Sequence, residues 1–209
     1  MLFGEFTLRS GRISPYFFNI ARFRTGTQLS RLGDHMAATV EIAAPQATIV
    51  FGPAYKGIPL CIATAMAMSR RTGREIGYLF DRKEIKTHGD VGAFVGHEPG
   101  RHDRLVMVDD VITDGKTKRE AVAKVCATFD VPIDAVVIAF NRMEQDAQGR
   151  DAIREFERQS GIPVHALLTL AELQEVLDGG MAGALGDAGH ERDLSRRIQA
   201  YRERYGVGG

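Results

Sequence analysis

A chain of 209 residues, 44% hydrophobic and 26% charged, is long enough to bury a core as one domain and has the balance of an ordinary folded protein. Lys plus Arg equals Asp plus Glu at 27 each, so no overall basic field points to nucleic acid. No secretory leader is expected ahead of the first motif, no apolar run reaches membrane-spanning length, and Cys61 and Cys126 lie in apolar runs with no CxxC pair. These features describe a cytoplasmic protein with two small buried thiols.

In chain order, Phe3 to Leu8 reads as a strand at the very start, so a covering N-terminal helix is expected to be missing. Ser10 to Asn19 follows, with a Gly/Pro turn and the aromatic cluster Tyr16, Phe17 and Phe18. That cluster suits either the apolar staple of a β-hairpin or a hood over a flat heterocycle. Leu29, Leu32, Met36 and Val40 recur at helical spacing, and Pro45 ends that helix. Thr48 to Phe51 is a short strand, Ile58 to Met68 an apolar helix, and Ile76 to Phe80 the next strand. Asp81 to Arg104 is long, polar and Gly-rich without a clear period, as a functional lid or a disordered segment would be. Leu105 to Val108, Val136 to Phe140 and Val164 to Leu168 are further strands, with helices over Lys116 to Phe129 and Ala152 to Gln159. Gly179 to Gly189 reads as a flexible linker to a charged helix, Glu191 to Tyr205. No internal repeat is visible. Strands alternating with helices argue for an α/β fold with a parallel sheet.

The chemistry concentrates after the strand Leu105 to Val108. Asp109 and Asp110 come next, then Val111 and Ile112, then Thr113-Asp114-Gly115-Lys116-Thr117 opening a helix. Residues after a buried parallel strand sit at the carboxyl edge of the sheet, where open α/β folds bind ligands. Backbone N–H groups and hydroxyls at the helix start suit a phosphate. Two carboxylates would repel a phosphate, and suit ribose hydroxyls or a divalent cation instead. A strand-to-helix turn with Asp and Thr as caps is the plain alternative. The combination favours a phosphorylated sugar. Phe51-Gly52-Pro53-Ala54-Tyr55-Lys56-Gly57 also joins a strand to a helix: its glycines permit close backbone approach, and Lys56 offers a point charge. A solvated Gly/Pro loop is the alternative there. Arg82, Lys83, Lys86 and His88 crowd basic groups into the Asp81 to Arg104 segment, either as a solvated face or as a cationic lid that closes over a pyrophosphate. Arg142, just past the strand ending at Phe140, suits a carboxylate or carbonyl, with an ordinary surface Arg as the alternative.

Apolar residues, two acids, two apolar residues and Thr-x-Gly-x-Thr resemble the phosphoribosyl-pyrophosphate (PRPP) motif of the type I phosphoribosyltransferases. Four further segments resemble the orotate branch of that family: FGEFTLRSGRISPYFFN (3–19), FGPAYKGIP (51–59), DRKEIKTHG (81–89) and the Arg in AFNRMEQ (139–145). The resemblance runs from Phe3 to about Thr169. It implies a type I phosphoribosyltransferase fold, a central mostly parallel sheet flanked by helices with a small N-terminal hood. The division would be one domain over 1–209, with the hood at 1–26, the α/β core at 27–170, a mobile catalytic loop at 81–104 and a helical segment at 171–209.

The same resemblance implies transfer of ribose 5-phosphate from PRPP to N1 of orotate, giving orotidine monophosphate and diphosphate. Phe17 and Phe18 would contact orotate through their backbone, with Arg9, Thr113 and Arg142 beside them. Tyr55, Lys56 and the run Asp109, Asp110, Val111, Ile112, Thr113, Asp114, Gly115, Lys116 and Thr117 would bind PRPP. Lys86 would stabilise the leaving group, assisted by His88. Arg82, Lys86 and His88 would reach the partner subunit's site in a homodimer, while Lys83 would serve its own. Mg²⁺ would be held by PRPP, with Asp109 or Asp110 acting through water and no direct protein ligand. Arg9 stands where many relatives have Lys, and Asp114 and Lys116 replace small residues in the cradle. A phosphoribosyltransferase for another nucleobase, and a PRPP-binding regulator of nucleic acid, are the alternatives. No membrane partner is expected.

Overall fold

Side-chain alternation along the buried strands decides the layering. The computed structural model describes residues 1–8, 10–86, 92–179 and 188–207; the side chains of residues 85, 86 and 188–191 lie outside the described set. In chain order the elements are β1 (Leu2–Thr7), β2 (Ile13–Phe17), α1 (Gly26–Ala43), β3 (Ile49–Gly52), α2 (Gly57–Thr72), β4 (Gly77–Lys86), β5 (Gly92–Gly96), β6 (Leu105–Asp109), α3 (Lys116–Phe129), β7 (Ile133–Asn141), α4 (Ala152–Ser160), β8 (Val164–Thr169), α5 (Leu170–Asp178) and α6 (Ala188–Tyr205). Six strands form one sheet in the order β5-β4-β3-β6-β7-β8. All neighbours are parallel except the β4–β5 edge pair. β1 and β2 pair separately as an antiparallel hood.

Period-two alternation sends Val50, Val106, Val108, Val137 and Ala139 to the face covered by α1 and α2. Ile49, Phe51, Leu105, Met107, Val136 and Ile138 take the opposite face, against Ala121 and Val125 of α3 and Phe156 of α4. Large side chains such as Phe51, Met107 and Ile138 are fully buried, each stabilising by roughly 1.5–3 kcal/mol. A third apolar cluster joins Tyr16 of the hood and Phe140 of β7 to Leu170, Leu173 and Leu177 of α5 and Leu194, Ile198 and Tyr201 of α6. The helix ends follow local chemistry. Thr25 accepts from the Gln28 N–H to start α1, Asp151 caps α4, and Thr169 with Glu172 forms a capping box on α5.

The segment 81–104, expected to lack regular structure, departs from that expectation. β4 runs on to Lys86 and returns as β5, so Leu79 pairs with Gly96 and Asp81 with Phe94. The polar stretch of β4 from Asp81 and the brevity of β5, with a Gly at each end, concealed this hairpin. The α5 helix also follows β8 directly through Thr169, where the sequence carried only a general helical expectation.

Candidate active site

Parallel strands place all their carboxyl ends on one edge. The turn after β3, the far part of β4, the turn after β6 and the residues ending β7 therefore meet along a single rim. Backbone sterics fix the first of these turns. A Cβ at Gly52 would lie 2.2 Å from the Gly57 carbonyl oxygen, and one at Gly57 would lie 2.7 Å from the Gly52 carbonyl carbon. Only paired glycines let β3 turn this sharply into α2 and leave Tyr55 and Lys56 at the rim, Tyr55 being 70% exposed.

The turn after β6 is open where an anion would enter. Thr113, Asp114, Lys116 and Thr117 are exposed, while Ile112 and Gly115 are buried beneath them. Gly115 starts α3 at φ +69°, and no side chain caps the helix from that position. Backbone N–H groups of the first turn therefore face the rim. Asp114 has a local role: its Oδ1 accepts from the Lys116 N–H at 3.0 Å, and its carbonyl accepts from Arg119 Nη1 at 3.2 Å. Its charge is thus spent on tightening the turn, with a guanidinium alongside. Lys116 Nζ lies 4.0 Å from Glu120 on the exposed face.

The two acids are nearly buried, Asp109 at 5% and Asp110 at 4% exposure. Each has an ammonium partner. Lys56 Nζ sits 2.7 Å from Asp110 Oδ2, and Lys118 Nζ sits 2.6 Å from Asp109 Oδ2. The remaining oxygens accept backbone bonds, Asp109 Oδ1 from the Asp110 N–H and Asp110 Oδ1 from the Val111 N–H. Burial pushes the Asp109 carboxyl up from its ordinary value; Lys118 opposes that and the Asp110 charge adds to it. Among the described residues, no group of three or more His, Cys, Asp or Glu could hold a metal ion. A carboxylate pair with lysines already seated fits a cation whose other ligands arrive with a substrate better than a protein-built metal centre.

The rim is tied to β4 by Asp81. Its Oδ1 accepts from the Ala54 N–H at 2.7 Å, and its Oδ2 from Lys124 Nζ at 3.1 Å. Lys124 also donates to the Arg82 carbonyl at 3.1 Å. Lys83 Nζ stands 5.7 Å from the Tyr55 ring centroid. The structure therefore brings Lys83, Tyr55 and Lys56 together within one chain. Arg82 is half-buried on the same strand. Arg9, His88 and the Lys86 side chain lie outside the described residues.

The hood splits its aromatics. Phe17 stacks on Phe6 at 5.6 Å within the hood, and Phe18 stacks on Phe140 at 5.5 Å. Tyr16 is fully buried, edge-on to both Phe140 and Tyr201. Arg142 is no surface arginine. It is 9% exposed, its guanidinium lies 5.3 Å from the Tyr16 ring centroid, and its Nε donates to Glu144 Oε1 at 2.9 Å. Burial disfavours its charge, but Glu144 more than compensates, so Arg142 stays firmly protonated. Lys118, Lys124, Asp81 and Glu144 were not singled out from the sequence. Each depends on a helix or strand register that no local motif reveals.

Comparison with known proteins covers the whole molecule. The chain is similar to orotate phosphoribosyltransferases of Methylococcus capsulatus (43% identical over 205 residues, 98% of this chain and 91% of that protein) and Cellvibrio japonicus (42% over 207 residues, 99% and 91%). The crystal structure of an orotate phosphoribosyltransferase of Francisella tularensis superposes with a TM-score of 0.80 at 33% identity, covering 99% of this chain and 94% of that one. No family model matches the chain.

Proposed function

The chain belongs to the orotate phosphoribosyltransferase family and transfers ribose 5-phosphate from PRPP to orotate in pyrimidine biosynthesis; on that premise we propose how its residues divide the work. The α3 start, with Thr113, Gly115 and Thr117, takes the 5-phosphate through backbone N–H groups and hydroxyls. Asp109 and Asp110 take the ribose hydroxyls. Lys56 is half exposed on Asp110, so it can donate to a diphosphate oxygen without crossing the site. Tyr55 and Lys83 flank the same group.

Mg²⁺ would be held chiefly by PRPP, with Asp109 or Asp110 near it through water, and would neutralise the departing diphosphate. The C1–oxygen bond to diphosphate breaks as orotate N1 bonds to C1, the N1 proton passes to the departing diphosphate or to water, and positive charge develops transiently on the sugar. Phe17 and Phe18 supply backbone contacts to orotate, Phe18 held in place by Phe140, with Thr113, Arg142 and Arg9 at the base's polar edges. Lys86, assisted by His88 and Arg82, stabilises the leaving group. These three act across a homodimer, in the partner's site.

No described helix is long and apolar enough to cross a membrane, and Cys61 and Cys126 are free thiols. We propose a reducing, cytoplasmic compartment, where such thiols persist unpaired.

The observation that carries the assignment of groups is the single rim joining the Lys56–Asp110 pair, the open α3 start and Phe18. The test is direct. With PRPP, Mg²⁺ and orotate, orotate absorbance falls, and Lys86→Ala lowers turnover by about 10²-fold or more while PRPP affinity changes little. Equal losses in turnover and PRPP binding would sink the leaving-group role. Uracil or a purine turning over as fast as orotate would overturn the base assignment.

A further inference from the structure

Just beyond β7 the backbone takes a conformation that residues with a side chain rarely adopt, and it brings opposite charges together under the hood. Met143 has φ +52°, in the left-handed region. Its surroundings hold it there. Asn141 Oδ1 accepts from the Met143 N–H at 2.8 Å, the Met143 carbonyl accepts from the Val207 N–H at 2.9 Å, and the Tyr205 carbonyl accepts from the Gln145 N–H at 2.9 Å. The end of α6 thus clamps this elbow from both sides.

Across the elbow the side chains of Arg142 and Glu144 meet. Glu144 Oε1 accepts from Arg142 Nε at 2.9 Å and from the Tyr16 hydroxyl at 3.0 Å. Arg142 Nη2 is 2.6 Å from the same oxygen, so Glu144 occupies the Nε–Nη2 edge of the guanidinium. The Nη1 edge of this side chain, 10% exposed, is left for an incoming oxygen.

We propose that Glu144, backed by Tyr16 and by the Met143 elbow under α6, is the positioning residue that aims Arg142 at the base substrate. The proposal rests on the assignment of Arg142 to orotate. Glu144 itself touches no substrate. It fixes the plane of the guanidinium through Nε and cancels its charge, so a directed N–H, rather than a diffuse positive field, meets the base. Tyr16 holds the Glu144 oxygen from the other side, and the elbow sets the spacing between the two residues.

The test compares Arg142→Ala, Glu144→Gln and Tyr16→Phe in the full-length protein, reading KM for orotate, KM for PRPP and thermal midpoint. Glu144→Gln is expected to raise KM for orotate about tenfold, the effect of losing a charge-assisted hydrogen bond, and to leave KM for PRPP within about twofold. Tyr16→Phe removes only a hydroxyl and is expected to move KM for orotate the same way by a smaller factor, which keeps the test alive if Glu144→Gln folds poorly. Should Arg142→Ala raise KM for orotate while both other variants leave it unchanged, the positioning role is wrong and the substrate contact stands. An unchanged KM for orotate in Arg142→Ala removes the contact itself and the proposal with it. Parallel rises in both KM values, tracking the thermal midpoint, would make Glu144 merely structural.

Discussion

In the proposed division of the site, the phosphate rim and the hood would handle the two halves of one reaction by opposite physics. At the rim, Thr113, Lys116, Thr117 and Tyr55 are exposed, and the proposed binding would rest on backbone direction and on lysines with a carboxylate already at hand. Under the hood, Tyr16, Phe140 and Arg142 are buried, and the polar groups are locked into aromatic packing and an ion pair. A polyanion brings its own strong field and tolerates an open, wet site. A flat, singly charged base does not, so its site must be pre-shaped and largely dry. Stability and function should therefore separate at the rim and travel together at the hood.

The largest effect expected is at the hood. Phe140→Ala removes a fully buried ring that packs edge-on to Tyr16 and stacks on Phe18, and is expected to cost about 3–5 kcal/mol in chemical denaturation. Orotate binding should weaken in the protein that remains folded. A stable variant with intact orotate binding would break the distinction between the two regions.

Lys118→Met probes a buried carboxylate beneath the rim. It leaves Asp109 without its ammonium and is expected to cost about 3 kcal/mol at neutral pH. The sign with pH follows from Asp109. Its folded pKa is already raised by burial, and loss of Lys118 raises it further, so the folded variant holds a proton that the unfolded chain releases. The penalty is therefore full at neutral pH and shrinks as pH falls toward the ordinary carboxyl value of 3.8. A stability gap that stays constant from pH 7 to 3.5 would mean that Lys118 acts only by packing.

Lys56→Ala is the opposite case. Its ammonium is half exposed, so stability should change by less than about 1 kcal/mol, while KM for PRPP rises about tenfold with little change for orotate. The smallest effect lies far from both regions. Glu155 is held down to about 2, first by the hydrogen bond from Arg158 and also by Gln159 and Arg150. Its contribution is present above its ordinary value of 4.5 and disappears as pH falls toward about 2. In Glu155→Gln the acid limb of the stability profile should be flatter across that window, with catalysis untouched.

The rim was the more legible of the two regions because its parts are contiguous. Asp109 to Thr117 carries strand end, acids and helix start in one run, and every strand named there is present within a few residues. Asp114 was the exception: beside a phosphate its charge looked unfavourable, and only the fold shows it spent on the Lys116 N–H. The hood was less legible. Tyr16, Phe17 and Phe18 stood out as a cluster, but which ring is buried and which faces the rim depends on β1–β2 pairing and on α6 packing from nearly two hundred residues away. Arg142 was found without its partner. The β4–β5 hairpin was missed because β4 turns polar from Asp81 on and β5 is five residues long with a Gly at each end, too short to show a period.

By itself the sequence determined the alternation of strands and helices, the strand-to-helix turn after the paired acids and the family, because these depend on residues adjacent in the chain or on a regular period. Only the tertiary structure decided which lysine answers which aspartate, that Asp81 ties the rim to β4, and that Glu144, Tyr16 and the end of α6 converge on Arg142. Most of those pairings join residues 27 to 128 positions apart, and they exist only once packing has fixed helix rotation and strand register, neither of which a local pattern carries.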